Sequence, residues 1–205
     1  MKNNVDQFFT EDAAEFARRY VDYLSGVLKA IDYDAVATFV NLLAEARNRG
    51  SVVYFIGNGG SASTASHFAN DLAIGTLARE KPFRVVSLTD NQAVLTAVAN
   101  DFGYEEVFSQ QIQVLGKPGD VLVAISASGN SPNLLRAMHS ASQQDITTVA
   151  ITAFDGGQMR VQADHGVHVP TEAGEYGPAE DAHLILNHLV GNYLMRLVRS
   201  ELNEP

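Results

Sequence analysis

The chain has 205 residues, which is enough for one well-buried α/β domain and short for two. Aspartate and glutamate total 24 against 14 lysine and arginine, and the net charge of −10 argues against a nucleic-acid-binding protein. The absence of cysteine excludes disulfides and thiolate metal sites. Because the sequence shows no secretory signal pattern and no apolar run near the ~20 residues that span a bilayer, we expect a cytoplasmic protein with no membrane partner.

Two helices are predicted before the first strand. Residues 11–30 and 34–49 carry helical apolar spacing, and Gly50 is a plausible residue to end the second helix. This hairpin and the residues just before it have an apolar side that must be buried. The apolar residues on this side are Phe8, Phe9, Tyr20, Tyr23 and Leu24. We expect this side to form an oligomer interface, although a cap on its own domain explains the same pattern.

Strands and helices then alternate to the end of the chain. The predicted strands are 52–56, 84–88, 121–125, 147–152 and 166–169, and the predicted helices start near 63, lie within 91–115, follow Pro132 to 143, and cover 158–162 and 179–202. Such alternation indicates a parallel sheet covered on both faces. We therefore expect an α/β fold, a three-layer αβα sandwich with a five-stranded parallel sheet, as one domain over 1–205 with helices in 1–50 and the core in 51–205.

The first predicted strand runs into a turn rich in glycine and serine. The segment GNGGS begins at Gly57, and its glycines allow positive φ and a close approach to a ligand beside the next helix. It matches neither the phosphate-loop pattern GxxxxGK[ST] nor the dinucleotide pattern GxGxxG. Taken alone, the segment is equally a plain strand-to-helix connection.

A second loop with serine and glycine follows the strand predicted at 121–125. Ser126, Ser128 and Ser131 lie in the next turn, and Pro132 suits the first turn of a helix. Two hydroxyl-rich loops therefore meet at the carboxyl edge of the predicted sheet, where open α/β sheets bind ligands. This pairing favours a phosphorylated small molecule as the ligand.

One turn of the helix after the first loop carries histidine and aspartate. His67 and Asp71 stand at i and i+4 and share one helical face, a spacing suited to joint metal binding. On spacing alone, such a pair is more often structural.

Five segments together resemble the phosphoheptose isomerases of the sugar isomerase (SIS) family. They are GNGGSAS with His67 downstream, TDNQAVLTAVANDFGY, ISASGNSPN, TAFDGGQM and EDAHLILNH. The resemblance implies a flavodoxin-like SIS fold and interconversion of sedoheptulose 7-phosphate and D-glycero-D-manno-heptose 7-phosphate. It also implies a homotetramer with a divalent metal, commonly zinc, in sites at subunit interfaces.

The resemblance also assigns individual positions. The implied substrate and phosphate contacts are Asn58, Gly59, Gly60, Ser61, Asn100, Asp101, Ser126, Ala127, Ser128, Ser131 and Glu180. The implied metal ligands are His67, Asp71, Glu180 and His188, of which Asp71 and His188 are also the implied catalytic residues.

Three positions depart from the family pattern. Asp71 replaces glutamate, Glu180 replaces glutamine, and Ala127 replaces a residue that often carries a hydroxyl. Two carboxylates, together with two neutral imidazoles, would balance the charge of a divalent cation. We therefore expect that the substitutions at Asp71 and Glu180 together make one new set of metal ligands. Asp181 is the rival of Glu180, because it shares a helical face with His188 more closely. We expect His183 to lie behind these ligands or at the surface.

Two other functions remain open on the sequence. A related isomerase of another sugar phosphate would share both loops. A non-catalytic SIS adaptor, like the replication-initiator-associating relative of these enzymes, would bind a protein instead. The histidines at both metal positions argue against the adaptor.

Overall fold

The computed structural model describes residues 3–201. Its helices are α1 (Asn4–Phe8), α2 (Ala13–Lys29), α3 (Tyr33–Arg49), α4 (Gly60–Asn70), α5 (Gln92–Asp101), α6 (Ser109–Leu115), α7 (Pro132–Ser142), α8 (Gly157–Gln162) and α9 (Tyr176–Glu201). Its strands are β1 (Val52–Gly57), β2 (Arg84–Ser87), β3 (Val121–Ser126), β4 (Thr147–Thr152) and β5 (His165–His168). A π-helical turn covers Asp71–Gly75, and a 3₁₀ turn covers Tyr104–Glu106.

The strands described between residues 3 and 201 form one five-stranded sheet in the order β2-β1-β3-β4-β5. Every neighbouring pair is parallel. Chain direction across the sheet reverses between β1 and β3, and ligand sites of open α/β folds lie at such a switch point. The predicted α/β class and parallel sheet are confirmed.

Side chains of the strands alternate between two apolar cores. Val53 and Phe55 join the core under α3, α4 and α9, whereas Tyr54 and Ile56 join the core under α6 and α7. Because both faces are covered, the strands read as continuous apolar runs. The rings of Phe55 and Phe68 stack with centroids 4.8 Å apart, which fixes α4 against β1.

The N-terminal helices cap the same chain. The ring of Phe8 lies 5.8 Å from that of Phe16 and 5.7 Å from that of Tyr23. Tyr20 and Tyr23 donate hydrogen bonds to Asp181 and Glu175 at the start of α9. The alternative of an intramolecular cap therefore accounts for much of this apolar side, while an oligomer interface stays a prediction.

Several element boundaries differ from the sequence prediction. Helix α4 begins at Gly60 rather than near residue 63, because Gly59 turns the backbone with a φ of 54°. Helix α9 begins at Tyr176 rather than near residue 179, since Pro178 is tolerated in a first helical turn. The short helix α1 was not predicted, and the predicted end of the last helix at residue 202 lies outside the described residues.

Of the helices placed between residues 3 and 201, none has both the length and the apolar character needed to cross a bilayer.

Candidate active site

The two glycine-serine loops lie side by side at the carboxyl edge of the sheet. Gly57 at the end of β1 is in register with Ile125 at the end of β3. Beyond these strand ends, the amide of Asn58 pairs with that of Asn133 through hydrogen bonds of 3.0 and 2.8 Å. Tyr104 also donates to the Asn58 oxygen over 3.0 Å. The structure thus brings both predicted loops together, and the Asn58 side chain makes three hydrogen bonds at this contact.

The first loop packs closely against α4 and α9. A Cβ added to Gly57 would lie 2.5 Å from the backbone oxygen of Ser61. A Cβ added to Gly60 would lie 2.2 Å from Oε2 of Glu180. The Glu180 carboxylate therefore faces the N-terminus of α4, where the helix dipole favours a negative charge.

The second loop, residues 126–131, holds its shape through its own serines. Ser126 Oγ accepts a hydrogen bond from the Gly129 amide at 3.1 Å, and Ser128 Oγ accepts one from the Asn130 amide at 3.4 Å. Gly129 has a φ of 63°, and a Cβ there would lie 1.9 Å from the Gly156 oxygen. The loop therefore has a conformation that only glycine permits at this position.

Other residues of the second loop differ in their surroundings. Ala127 is buried, so its side chain belongs to the core. Ser131 precedes α7 without a side-chain bond to the helix, and Pro132 takes the first helical position. The Ser131 hydroxyl is therefore not used to cap α7.

Three potential metal ligands converge between α4 and α9. One ligand atom each from His67, Asp71 and His188 lies within 4.8 Å of the other two. Nε2 of His67 is 3.4 Å from Oδ2 of Asp71, and the His67 and His188 rings have centroids 4.9 Å apart. His188 is exposed, while the other two are partly buried. We refer to these three residues as the ligand triad.

The chemistry of the ligand triad suits a divalent cation. Two imidazoles and one carboxylate, with Nε2 of His67 3.4 Å from Oδ2 of Asp71, form a nitrogen and oxygen donor set of the kind that binds divalent cations.

Two amide side chains hold the Asp71 carboxylate. Asn70 donates to Oδ1 at 3.2 Å, and the buried Asn187 donates to Oδ2 at 3.0 Å. Asp71 is also the first residue of the π-helical turn, a distortion that is frequent at functional sites. Asn187 was not predicted to belong to the site; the available signal was a polar residue on the apolar face of the last helix.

The structure does not bring the other predicted metal ligand into the triad. Glu180 is not one of the described residues whose ligand atoms converge, and it lies against Gly60 instead. Its rival Asp181 accepts a hydrogen bond from Tyr20 at 2.6 Å. Both residues lie within α9, so neither has the non-helical geometry that would have favoured Glu180.

Asn100 and Asp101 lie at the exposed end of α5. The Asn100 amide donates to the Asp101 carboxylate at 2.8 Å. In the described part of the chain, no side-chain hydrogen bond joins either residue to the two loops. Their role as sugar contacts stays a prediction.

His183 is buried, which corrects the expectation of a possible surface position. It has 0% exposure, and neither ring nitrogen has a hydrogen-bond partner within residues 3–201. Burial, which penalises the charged ring, lowers its pKa to about 4. His183 is therefore a neutral core residue near physiological pH.

A cavity of about 760 Å³ opens beside the second loop. Its polar lining includes Ser128, Asn130, Asp155, Thr171 and Glu172. A cavity of this volume accommodates a small organic molecule. The second loop thus borders a space large enough for a small molecule.

Comparison with known proteins identifies the family of the chain. The model of the SIS domain family matches residues 15–153. The phosphoheptose isomerase of Nitratidesulfovibrio vulgaris (strain DSM 19637 / Miyazaki F) is 35% identical over 190 residues, which cover 93% of this chain and 88% of that protein. The structure of the phosphoheptose isomerase from Neisseria gonorrhoeae is 31% identical with a TM-score of 0.75, covering 89% of this chain and 95% of that one.

A phosphoheptose isomerase from Francisella tularensis shares the fold, with a TM-score of 0.80 at 23% identity over 89% of this chain and 96% of that one. The matched span of 190 of the 205 residues includes both loops and the ligand triad, because at most 15 residues lie outside it. The chain therefore belongs to the SIS domain family and, within it, to the phosphoheptose isomerases, which makes it an aldose–ketose isomerase of a sugar phosphate.

Proposed function

We propose that the protein is a metal-dependent isomerase that converts sedoheptulose 7-phosphate to D-glycero-D-manno-heptose 7-phosphate. The observation that carries the proposal is the convergence of the ligand triad. Zinc is the expected ion. The relatives are enzymes by name, which favours catalysis over the non-catalytic adaptor.

The phosphate is expected at the second loop rather than at the first. The N-terminus of α4 is already faced by the Glu180 carboxylate, which would repel a phosphate. At α7, the Ser131 hydroxyl does not cap the helix, so it is left as a donor for a phosphate oxygen. Glu180 is then better placed to accept hydrogen bonds from sugar hydroxyls.

The reaction requires a base and an acid at the reacting carbons. From ketose to aldose, a base takes a proton from C1 while an acid protonates the C2 oxygen, giving an enediol. The enediol becomes the aldose when a proton returns to C2 and the O1 proton is released. Asp71 and His188 are the expected base and acid, and their roles exchange in the reverse direction. A bound divalent cation would stabilise the negative charge that develops on the substrate oxygens.

The position of the triad supports a site shared between two copies of the chain. Asp71 follows Ser61 by ten residues, or about 15 Å along the axis of α4. A sugar held by the second loop of the same chain would have to extend far along the helix layer to reach it. His188 is exposed, so a second copy in the proposed homotetramer could present its own loop to the triad.

The direct test combines metal analysis with turnover. The purified protein should retain a divalent ion, convert sedoheptulose 7-phosphate faster than fructose 6-phosphate or ribulose 5-phosphate, and lose activity after chelation. His188→Ala should abolish both ion retention and turnover. His139→Ala, which alters an exposed histidine on α7, is the matched control and should retain both.

Turnover that survives in His188→Ala would remove this residue from the mechanism. Faster turnover of one of the other ketose phosphates would transfer the proposal to that substrate.

A further inference from the structure

A buried amide lies directly behind the ligand triad. Asn187 has 0% exposure, and its Nδ2 is 3.0 Å from Oδ2 of Asp71. This is the same carboxylate oxygen that lies 3.4 Å from Nε2 of His67. Asn187 therefore contacts one triad member and is next in sequence to His188, another member.

The orientation of this amide is determined by Asp71. The other amide atom, Oδ1, is buried without a partner among the described residues. Rotating the amide by half a turn would place two oxygen atoms, one of them charged, against each other. A buried acceptor without a partner costs free energy, and leucine would fill a similar volume without that cost. Folding alone therefore does not explain an amide at this position.

The next turn of α9 also shapes the space around Asp71. A Cβ added to Gly191 would lie 3.6 Å from Cβ of Asp71, so the aspartate packs directly on the backbone of α9. Asn187 and Gly191 are one helical turn apart and contact Asp71 from the same side. Together they form the part of α9 against which Asp71, the first residue of the π-helical turn, packs.

We propose that Asn187 is a positioning residue: by donating to Oδ2 of Asp71, it fixes the carboxylate in the orientation needed to bind the metal and act on the sugar. This inference rests on the proposed function. It assigns Asn187 no contact with substrate. Its effect should therefore pass entirely through Asp71.

The test replaces Asn187 with leucine in the full-length protein. Zinc affinity, measured by competition with a chelating dye, should weaken 10- to 100-fold, as is typical when a group that orients a ligand is removed. At saturating zinc, kcat should fall about tenfold or more, while KM for sedoheptulose 7-phosphate should stay within about twofold because no substrate contact is lost. The melting temperature should change little, since removal of an unpaired buried oxygen offsets the lost hydrogen bond to Asp71.

Two comparisons separate positioning from a general structural role. His183→Leu removes another buried polar side chain from α9 one turn earlier, and it should leave zinc affinity and kcat unchanged. Asn187→Leu introduced into Asp71→Ala should produce no further loss of zinc affinity, because the residue through which it acts is gone.

Three outcomes would overturn the inference. Wild-type zinc affinity and kcat in Asn187→Leu would overturn it while leaving the proposed function intact. Equal losses with and without Asp71 would show a structural effect instead. A wild-type protein that neither binds zinc nor isomerises the sugar would overturn the proposed function as well.

Discussion

The three serines of the second loop differ in what their hydroxyls do. Ser126 accepts a hydrogen bond from the buried Gly129 amide and so supports the loop. Ser131 makes no side-chain bond to the helix that it precedes. Sequence alone treats these serines as equivalent, whereas in the structure Ser126 supports the loop and Ser131 does not cap the helix, as expected of the proposed phosphate contact.

This difference predicts opposite effects of two serine substitutions. Ser126→Ala should lower the free energy of unfolding by about 1–3 kcal/mol, because the Gly129 amide loses its partner. Ser131→Ala should change stability by less than about 0.5 kcal/mol. It should nevertheless weaken sedoheptulose 7-phosphate binding by roughly fivefold or more, corresponding to one lost hydrogen bond of about 1 kcal/mol. Denaturation and calorimetric titration measure the two quantities, with unphosphorylated sedoheptulose as the control ligand. Equal weakening of both sugars by Ser131→Ala would contradict a phosphate contact.

Because His183 is buried, the folding stability of the protein should decrease in acid. Its pKa in the folded protein is lowered to about 4 from an ordinary 6.5, so between these values the unfolded chain binds a proton that the folded chain does not. The stability that depends on neutral His183 is complete above pH 6.5 and is lost as the pH falls toward 4. From pH 7 to pH 5 the loss is on the order of 2 kcal/mol.

His183→Leu should remove this part of the pH dependence. Urea denaturation at pH 7 and pH 5 should show a smaller difference in unfolding free energy for the variant than for the wild type. His168, whose pKa is also lowered by burial and by Arg160, remains in both proteins and leaves some pH dependence in each. The same difference in both proteins would exclude His183 as the source.

At the scale of elements, a buried carboxylate just before α9 joins the N-terminal helices to it, in addition to the bond from Tyr20 to Asp181. Glu175 is 1% exposed and accepts hydrogen bonds from the Asn4 amide at 2.7 Å and the Glu172 amide at 2.9 Å. The Tyr23 hydroxyl donates to Oε2, the oxygen that also accepts from the Glu172 amide. Burial, with the bond to Glu175, raises the pKa of Tyr23 to about 12, so the phenol remains a donor at neutral pH.

Removing this carboxylate should release α1. Glu175→Ala is expected to lower the free energy of unfolding by roughly 2–4 kcal/mol, because three donors lose a charged acceptor. Hydrogen exchange of residues 4–8 should accelerate more than that of α4. Glu172→Ala, which alters an exposed carboxylate three residues earlier, should leave both unchanged. Unaltered exchange of α1 in Glu175→Ala would show that aromatic packing alone holds it.

At the scale of the whole molecule, α9 leaves an apolar face uncovered on the side of His188. Ile185, Leu189 and Tyr193 are 38%, 44% and 55% exposed. Apolar side chains spaced along one exposed helix face are typical of a protein–protein contact. This face adjoins the ligand triad, in agreement with the proposed sharing of sites between copies.

A charged residue introduced on this face should both dissociate the oligomer and reduce activity. Leu189→Glu is expected to lower the molar mass measured by light scattering and to reduce turnover at least tenfold, because a charge in an apolar contact is costly. Val161→Glu, which alters an 80% exposed valine on α8, is the control and should change neither. A monomeric wild type, or an unchanged mass in Leu189→Glu, would contradict the shared site.

The sequence alone determined the class of the fold and the residue types of the loops at the carboxyl edge of its sheet. Continuous apolar runs alternating with helices predicted the parallel sheet, since only buried strands lack polar alternation. Serine and glycine after two such strands predicted neighbouring loops, because parallel strands end at one edge. His67 and Asp71 were recognisable as a pair, since i and i+4 residues are neighbours on any helix.

The tertiary structure decided which distant side chains join that pair. His188 meets His67 and Asp71 only because α9 packs on α4, and the same packing buries Asn187 against Asp71. It also places Glu180 at Gly60 and Asp181 at Tyr20, a distinction that helical periodicity left open. Local patterns are set by backbone geometry within a few residues. The rotation and depth at which two helices pack depend on the whole core.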